Sequence, residues 1–115
     1  MHAHTDNIVG ILLITHYGLG ESLIQIATHI MSEKPKNIEF LSVTEESKFE
    51  SLVATGNNLL RALDNGKGVV LLTDLFGATP FNVTKKIAIK KKVTVVSGVN
   101  LPMLLKALTY RTLPL

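Results

Sequence analysis

Cysteine and tryptophan are absent from this sequence of 115 residues, and aromatic residues make up only 5% of it. Without cysteine the chain offers no disulfide, no thiolate nucleophile and no cysteine ligand for zinc. Because large aromatic side chains are scarce, aliphatic residues must fill the core, and a hydrophobic content of 46% supplies them. The length and composition predict one folded domain with an aliphatic core.

Long hydrophobic runs are also missing. No stretch approaches the roughly 20 apolar residues that a membrane helix needs. Residues 1–7 are polar and lack a basic region, and the apolar run Ile8–Ile14 that follows is too short and wrongly flanked for a signal peptide. The sequence therefore predicts a cytoplasmic protein.

The positive charge is small and concentrated in one segment. The net charge is +3, and five of the 12 basic residues lie close together. Clustered lysines are typical of the end of a helix, where positive charge is favourable. A nucleic-acid surface would add interleaved aromatic residues and a second basic run, so no nucleic-acid partner is predicted. The clustered residues are Lys85, Lys86, Lys90, Lys91 and Lys92.

Four apolar runs predict buried β-strands. The first and third are almost continuously apolar, as expected of parallel strands that are covered on both faces. The four runs are Ile8–Ile14, Ile38–Val43, Gly68–Thr73 and Val93–Ser97.

A helical pattern follows each of these runs. The first helix has apolar residues at helical spacing over Leu19–Ile30, and the second is expected to begin with Thr44 as its cap. The third begins near Thr79 and the fourth spans roughly Leu101–Tyr110, each with a proline at its start. This alternation predicts a doubly wound, open parallel α/β sheet, with strand order 2-1-3-4 and helices on both faces.

Functional sites in such sheets lie beyond the carboxyl ends of the strands. His16 follows the first strand and Asp74 follows the third, and in the order 2-1-3-4 these strands are neighbours. A carboxylate that accepts one imidazole N–H fixes the tautomer and leaves the other nitrogen bare to attack phosphorus. Thr79 would add a hydroxyl, and the small Gly77 and Ala78 precede a helix start with free backbone N–H groups for phosphoryl oxygens.

The residue pattern alone is also compatible with purely structural roles for His16 and Asp74. A single histidine after a strand is more often a loop residue than a catalyst, and an aspartate there is often a turn former or helix cap. His29 lies beside the apolar stripe of the first helix and is expected at the surface. A metal site needs about three converging ligands, and only His16 and Asp74 converge, so neither a metal nor another cofactor is predicted.

At these positions the sequence resembles the IIA domain of the mannose family of the bacterial phosphoenolpyruvate-dependent sugar phosphotransferase system. Three segments carry the resemblance, and they cover nearly the whole chain in the right order. They are Ile8–Gly18, which ends in Thr-His-x-Gly; Leu72–Asn82, which contains Asp-x-aromatic-Gly-x-Thr-Pro-x-Asn; and Ser97–Leu104.

The resemblance implies a phosphoryl carrier. His16 would accept phosphate on Nε2 from the phosphocarrier HPr and pass it to a IIB domain, and Asp74 matches the carboxylate that holds the active histidine. Thr79 stands where the family usually has serine. Phe76 matches an aromatic residue at the rim of the site, and Asn100 begins the neighbouring fourth helix. The resemblance also implies a homodimer, formed by exchange of a C-terminal strand, and only indirect association with membrane components.

The chain is expected to be a single domain over residues 1–115. The family generally continues beyond the position of Arg111, so the usual C-terminal strand or helix is expected to be missing from this sequence. A IIA-like subunit of dihydroxyacetone kinase and a non-catalytic regulatory or binding module remain alternatives. A two-component receiver is disfavoured, because Thr15 and His16 stand where a receiver needs an acidic pair for magnesium.

Overall fold

The computed structural model describes residues 8–74, 79–87 and 93–111. Strands and helices alternate along the chain. The strands are β1 (Gly10–His16), β2 (Ile38–Val43), β3 (Val69–Thr73) and β4 (Val93–Val96). The helices are α1 (Leu19–Met31), α2 (Phe49–Leu63), α3 (Thr79–Ile87) and α4 (Leu101–Thr109).

The strands form a parallel sheet in the order β2-β1-β3-β4, which confirms the predicted topology. The central strand β1 is apolar from Gly10 to Ile14 because both of its faces are covered. Ile11 and Leu13 pack with α1 and α4 on one face, whereas Leu12 and Ile14 pack with α2 and α3 on the other. From β1 the chain crosses first to β2 on one side and later to β3 on the other, so a crevice opens where β1 and β3 end.

β1 lies two residues further along the chain than the predicted Ile8–Ile14. At its end, Thr15 and His16 stay in the ladder because β2 continues far enough for Val43 to pair with His16. Because Thr15 and His16 are polar, the hydrophobic pattern did not predict that the strand includes them. His16 is therefore the last residue of a strand, with its backbone held by the sheet.

The prediction that Thr44 caps α2 is wrong, because α2 begins at Phe49. Thr44 instead closes a turn with Ser47: its backbone N–H donates to Ser47 Oγ at 2.9 Å, and its carbonyl accepts from the Ser47 N–H at 3.2 Å. Side-chain hydrogen bonds of this kind compete with helix formation. The first helical bond of this segment accordingly runs from the Leu52 N–H to the Lys48 carbonyl, at 2.9 Å.

The remaining boundaries differ from prediction by one residue or agree with it. Gly68 precedes β3, Ser97 follows β4 and Tyr110 follows α4. α3 begins at Thr79 as predicted.

The surface residues singled out in the sequence lie where their elements place them. Lys85 and Lys86 occupy the last turn of α3, as predicted, whereas lysines 90–92 fall outside the described residues. His29 is exposed in the last turn of α1, which confirms the expected surface position. None of the helices within the described ranges has the length and hydropathy needed to span a membrane.

Arg111 ties the end of α4 to the start of the sheet. Its Nη2 donates to the Asn37 carbonyl at 2.8 Å and its Nε to the Val9 carbonyl at 3.3 Å, while its own carbonyl accepts from the Val9 N–H at 2.8 Å. Burial lowers the pKa of Arg111 to about 10, so the guanidinium is still a cation at neutral pH. Arg111 therefore links α4 to the residues that precede β1 and β2, at the amino-terminal ends of the strands.

Replacing Arg111 by methionine is expected to destabilise the fold by about 2 kcal/mol, because two hydrogen bonds from a charged donor are lost. The apolar stem is kept, so the change isolates the guanidinium. Urea denaturation should show a lower midpoint with an unchanged slope. The matched control is Arg61→Met, because Arg61 is exposed and, within residues 8–74, 79–87 and 93–111, its guanidinium bonds only the nearby Asn58 side chain on the same helix. Equal midpoints for the two variants would contradict the anchoring role.

Candidate functional site

His16 and Asp74 stand side by side at the carboxyl edge of the sheet. His16 ends β1 and Asp74 directly follows β3. The two strands are paired up to Ile14 and Thr73, so the residues beyond this pair emerge together. Their side chains meet, as the strand order predicts for neighbouring parallel strands.

One carboxylate oxygen makes both contacts between these residues. Asp74 Oδ2 accepts a hydrogen bond from the backbone N–H of His16 at 2.9 Å, and it lies 3.0 Å from His16 Nδ1. Because an ionised carboxylate can only accept, the proton of a neutral imidazole is held on Nδ1. The Nε2 nitrogen is then left with a free lone pair.

The two partners differ in their exposure to solvent. The side chain of His16 is 39% exposed, whereas that of Asp74 is 13% exposed. A largely buried carboxylate interacts more strongly with the imidazole than one in bulk water would. The ring is thus oriented from the protein side while it keeps access to a partner that arrives from solvent.

Backbone hydrogen bonds hold the segments on both sides of the pair. The Tyr17 N–H donates to the Val43 carbonyl at the end of β2, at 2.8 Å. The Gly98 N–H donates to the Asp74 carbonyl at 3.1 Å, which ties the connection between β4 and α4 to the end of β3. The residue after His16 and the carboxylate residue itself are therefore fixed to neighbouring elements.

Gly20 brings α1 close to β1 shortly after His16. Its N–H donates to the buried Thr15 Oγ1 at 2.9 Å. A Cβ at this position would lie 3.1 Å from Thr15 Oγ1 and 3.3 Å from both Leu13 Cβ and Phe40 Cβ. The glycine was visible in the sequence only as a flank of the helix start, and its packing role depends on tertiary contacts that no local pattern reports.

The other predicted site residues occupy different positions. Thr79 is exposed at the first position of α3, and no hydrogen bond joins it to His16. The Asn100 side chain accepts from the Met103 N–H at 2.9 Å and so caps α4. Phosphoryl binding by these two residues stays a prediction. Three further predicted residues lie outside the described ranges: Phe76, Gly77 and Ala78.

Across residues 8–74, 79–87 and 93–111, no three side chains of histidine, aspartate or glutamate are grouped as ligands for a metal ion.

The fold and the site define an open parallel α/β protein with a histidine–carboxylate pair at its switch point, the place where sheets of this kind bind their ligands. Within that class, residues 10–114 match the EIIA-man family, described as the PTS system fructose IIA component. The chain belongs to this family, which confirms the resemblance found in the sequence.

Two relatives illustrate the relationship. The chain is 33% identical over 104 residues to the PTS system mannose-specific EIIAB component of Escherichia coli (strain K12), covering 90% of this chain and 32% of that protein. It is 31% identical over 99 residues to the PTS system sorbose-specific EIIA component of Lacticaseibacillus casei, covering 84% of this chain and 69% of the relative. The chain thus spans about a third of the length of the Escherichia coli protein.

A solved structure supports the architecture. The crystal structure of the phosphotransferase system component EIIA from Streptococcus agalactiae superposes with a TM-score of 0.81 at 24% identity. The match covers 92% of this chain and 81% of that one. The doubly wound fold with strand order 2-1-3-4 is therefore shared with a protein of this type.

Proposed function

We propose that this protein is a phosphoryl carrier of the bacterial sugar phosphotransferase system, phosphorylated on Nε2 of His16. The observation that carries the proposal is the 3.0 Å contact between His16 Nδ1 and Asp74 Oδ2. A carboxylate at this distance favours the tautomer with its proton on Nδ1, and this supports Nε2 as the nucleophile at the edge of the sheet. Membership of the EIIA-man family supports the same chemistry.

The reaction follows from this tautomer. The Nε2 lone pair forms a bond to phosphorus while the bond from phosphorus to the donor breaks. The proton stays on Nδ1, and the ring that carries both the proton and the phosphoryl group gains positive charge. The carboxylate of Asp74 offsets that charge, so the same contact serves before and after transfer.

The phosphoryl oxygens need donors of their own. We place these donors at the start of α3, where Thr79 offers a hydroxyl at the first position of the helix. Gly77 and Ala78 precede it and would let the phosphoryl group approach closely. Phe76 and Asn100 would border the site.

The proposed donor is HPr and the proposed acceptor is a IIB domain. In this scheme the protein acts in the cytoplasm as a single domain over residues 1–115 and as a homodimer. Its association with the membrane components of the system would be indirect, through IIB. The transfer serves sugar uptake or its regulation.

A labelling experiment tests the carrier function. The protein is incubated with enzyme I, HPr and phosphoenolpyruvate that carries a labelled phosphoryl group. We expect about one label per chain, labile in acid and stable in alkali, as a phosphoramidate requires. Addition of a IIB domain should then remove the label. Absence of label from the folded protein would refute the proposal, and label that no IIB domain accepts would favour a regulatory role.

A further inference from the structure

Tyr17 has an unusual backbone conformation directly after His16. Its φ is +49°, in the left-handed region that a bulky residue rarely adopts. The other residues with positive φ in the described ranges, glycines apart, are the smaller Ser32 and Asn37. A strained conformation persists only where the surrounding structure imposes it, and such residues cluster at functional sites.

The ring of Tyr17 contributes little to the fold. Tyr17 is 54% exposed, and only its backbone makes a hydrogen bond to the described part of the chain. Glycine would adopt the same φ without strain. Packing within the described part of the chain therefore does not explain why an aromatic side chain stands at this position.

We propose that Tyr17 is a recognition residue for the phosphorylated donor protein, HPr. This inference rests on the proposed function. In-line transfer needs the donor's phosphorus within about 3.5 Å of His16 Nε2, so the surface around His16 must come against the donor. Tyr17 and Leu19, which is 39% exposed, are the large apolar side chains closest in sequence to His16 on that surface.

The local backbone suits this role because it limits the positions open to the ring. The Tyr17 N–H is bonded to the Val43 carbonyl at 2.8 Å, and the next residue, Gly18, accepts the first hydrogen bond of α1 from the Ser22 N–H at 2.9 Å. An aromatic side chain on a fixed backbone loses little entropy when it is buried by a partner. Tyrosine is accordingly one of the residues enriched among the anchors of protein interfaces.

Steady-state transfer from phospho-HPr tests the inference. The variants are Tyr17→Gly, which removes the ring and relieves the backbone, and Tyr17→Phe, which keeps the ring. The matched control is Tyr110→Ala, because Tyr110 is also 54% exposed but follows α4 beside Arg111, at the opposite edge of the sheet. Thermal unfolding of each variant verifies that it is folded.

We expect Tyr17→Gly to raise the KM for phospho-HPr about tenfold, with kcat at saturation nearly unchanged. Tyr17→Phe should restore most of the affinity, and Tyr110→Ala should leave both constants at their wild-type values. An unchanged KM in folded Tyr17→Gly would overturn the inference alone, since wild-type labelling would still support the carrier function. A fall in kcat at constant KM would also overturn it, and a wild type that takes no label would remove both proposals together.

Discussion

Replacing His16 by alanine is expected to abolish phosphorylation by phospho-HPr completely. In the proposed mechanism, the substitution removes the nitrogen that forms the bond to phosphorus, and no neighbouring group among the described residues offers an equivalent nucleophile. The measurement is the acid-labile, alkali-stable label after incubation with enzyme I, HPr and labelled phosphoenolpyruvate. The loss should be absolute rather than a change in rate, because a covalent intermediate cannot form without its acceptor atom.

The control for this loss is His29→Ala. His29 is exposed in the last turn of α1, whereas His16 ends β1 at the opposite end of that helix. We expect His29→Ala to be labelled like the wild type. The fold should survive the His16 substitution, since the backbone N–H of residue 16 still donates to Asp74. Label that persists in folded His16→Ala would mean that another residue accepts the phosphate.

The topology was predictable because strands that are buried on both faces appear in the sequence as continuous runs of apolar residues. β1 up to Ile14 and β3 up to Leu72 are covered on both faces, so these residues are apolar without alternation. The segments between the strands instead carry apolar residues at helical spacing. Once the order places β1 beside β3, the residues at their ends must be neighbours. The meeting of His16 and Asp74 follows from that order alone.

The local geometry was not predictable from these patterns. The turn formed by Thr44 and Ser47 delays α2, and it depends on competition between side-chain and helical hydrogen bonds that residue types alone do not decide. The sharing of Asp74 Oδ2 between ring and backbone of His16 depends on the exact end of β1, which the polar Thr15 obscured. The positive φ of Tyr17 has no sequence signal, because that conformation is normally marked by glycine or asparagine.

Replacing Asp74 by alanine is expected to slow phosphorylation of His16 by about 100-fold or more, the scale at which loss of an orienting carboxylate affects a histidine in other sites. Without the carboxylate, the imidazole can carry its proton on either nitrogen and the ring is free to turn. The positive charge that develops on phosphorylation also loses its counter-charge. The measurement is the single-turnover rate of labelling at saturating phospho-HPr.

Two further variants separate the parts of this effect. Asp74→Asn keeps an oxygen that can accept from the ring and from the backbone N–H of His16, but it removes the charge, so its rate should fall between those of the wild type and Asp74→Ala. Thr79→Ala removes one donor to the phosphoryl oxygens and should slow transfer less than Asp74→Ala. Asp74→Ala also removes the hydrogen bond from the His16 backbone N–H. Urea denaturation of each variant measures the resulting loss of stability, so that it can be separated from the loss of rate. A wild-type rate in Asp74→Ala would refute the orienting role, whereas equal rates in the Asn and Ala variants would assign the whole effect to charge.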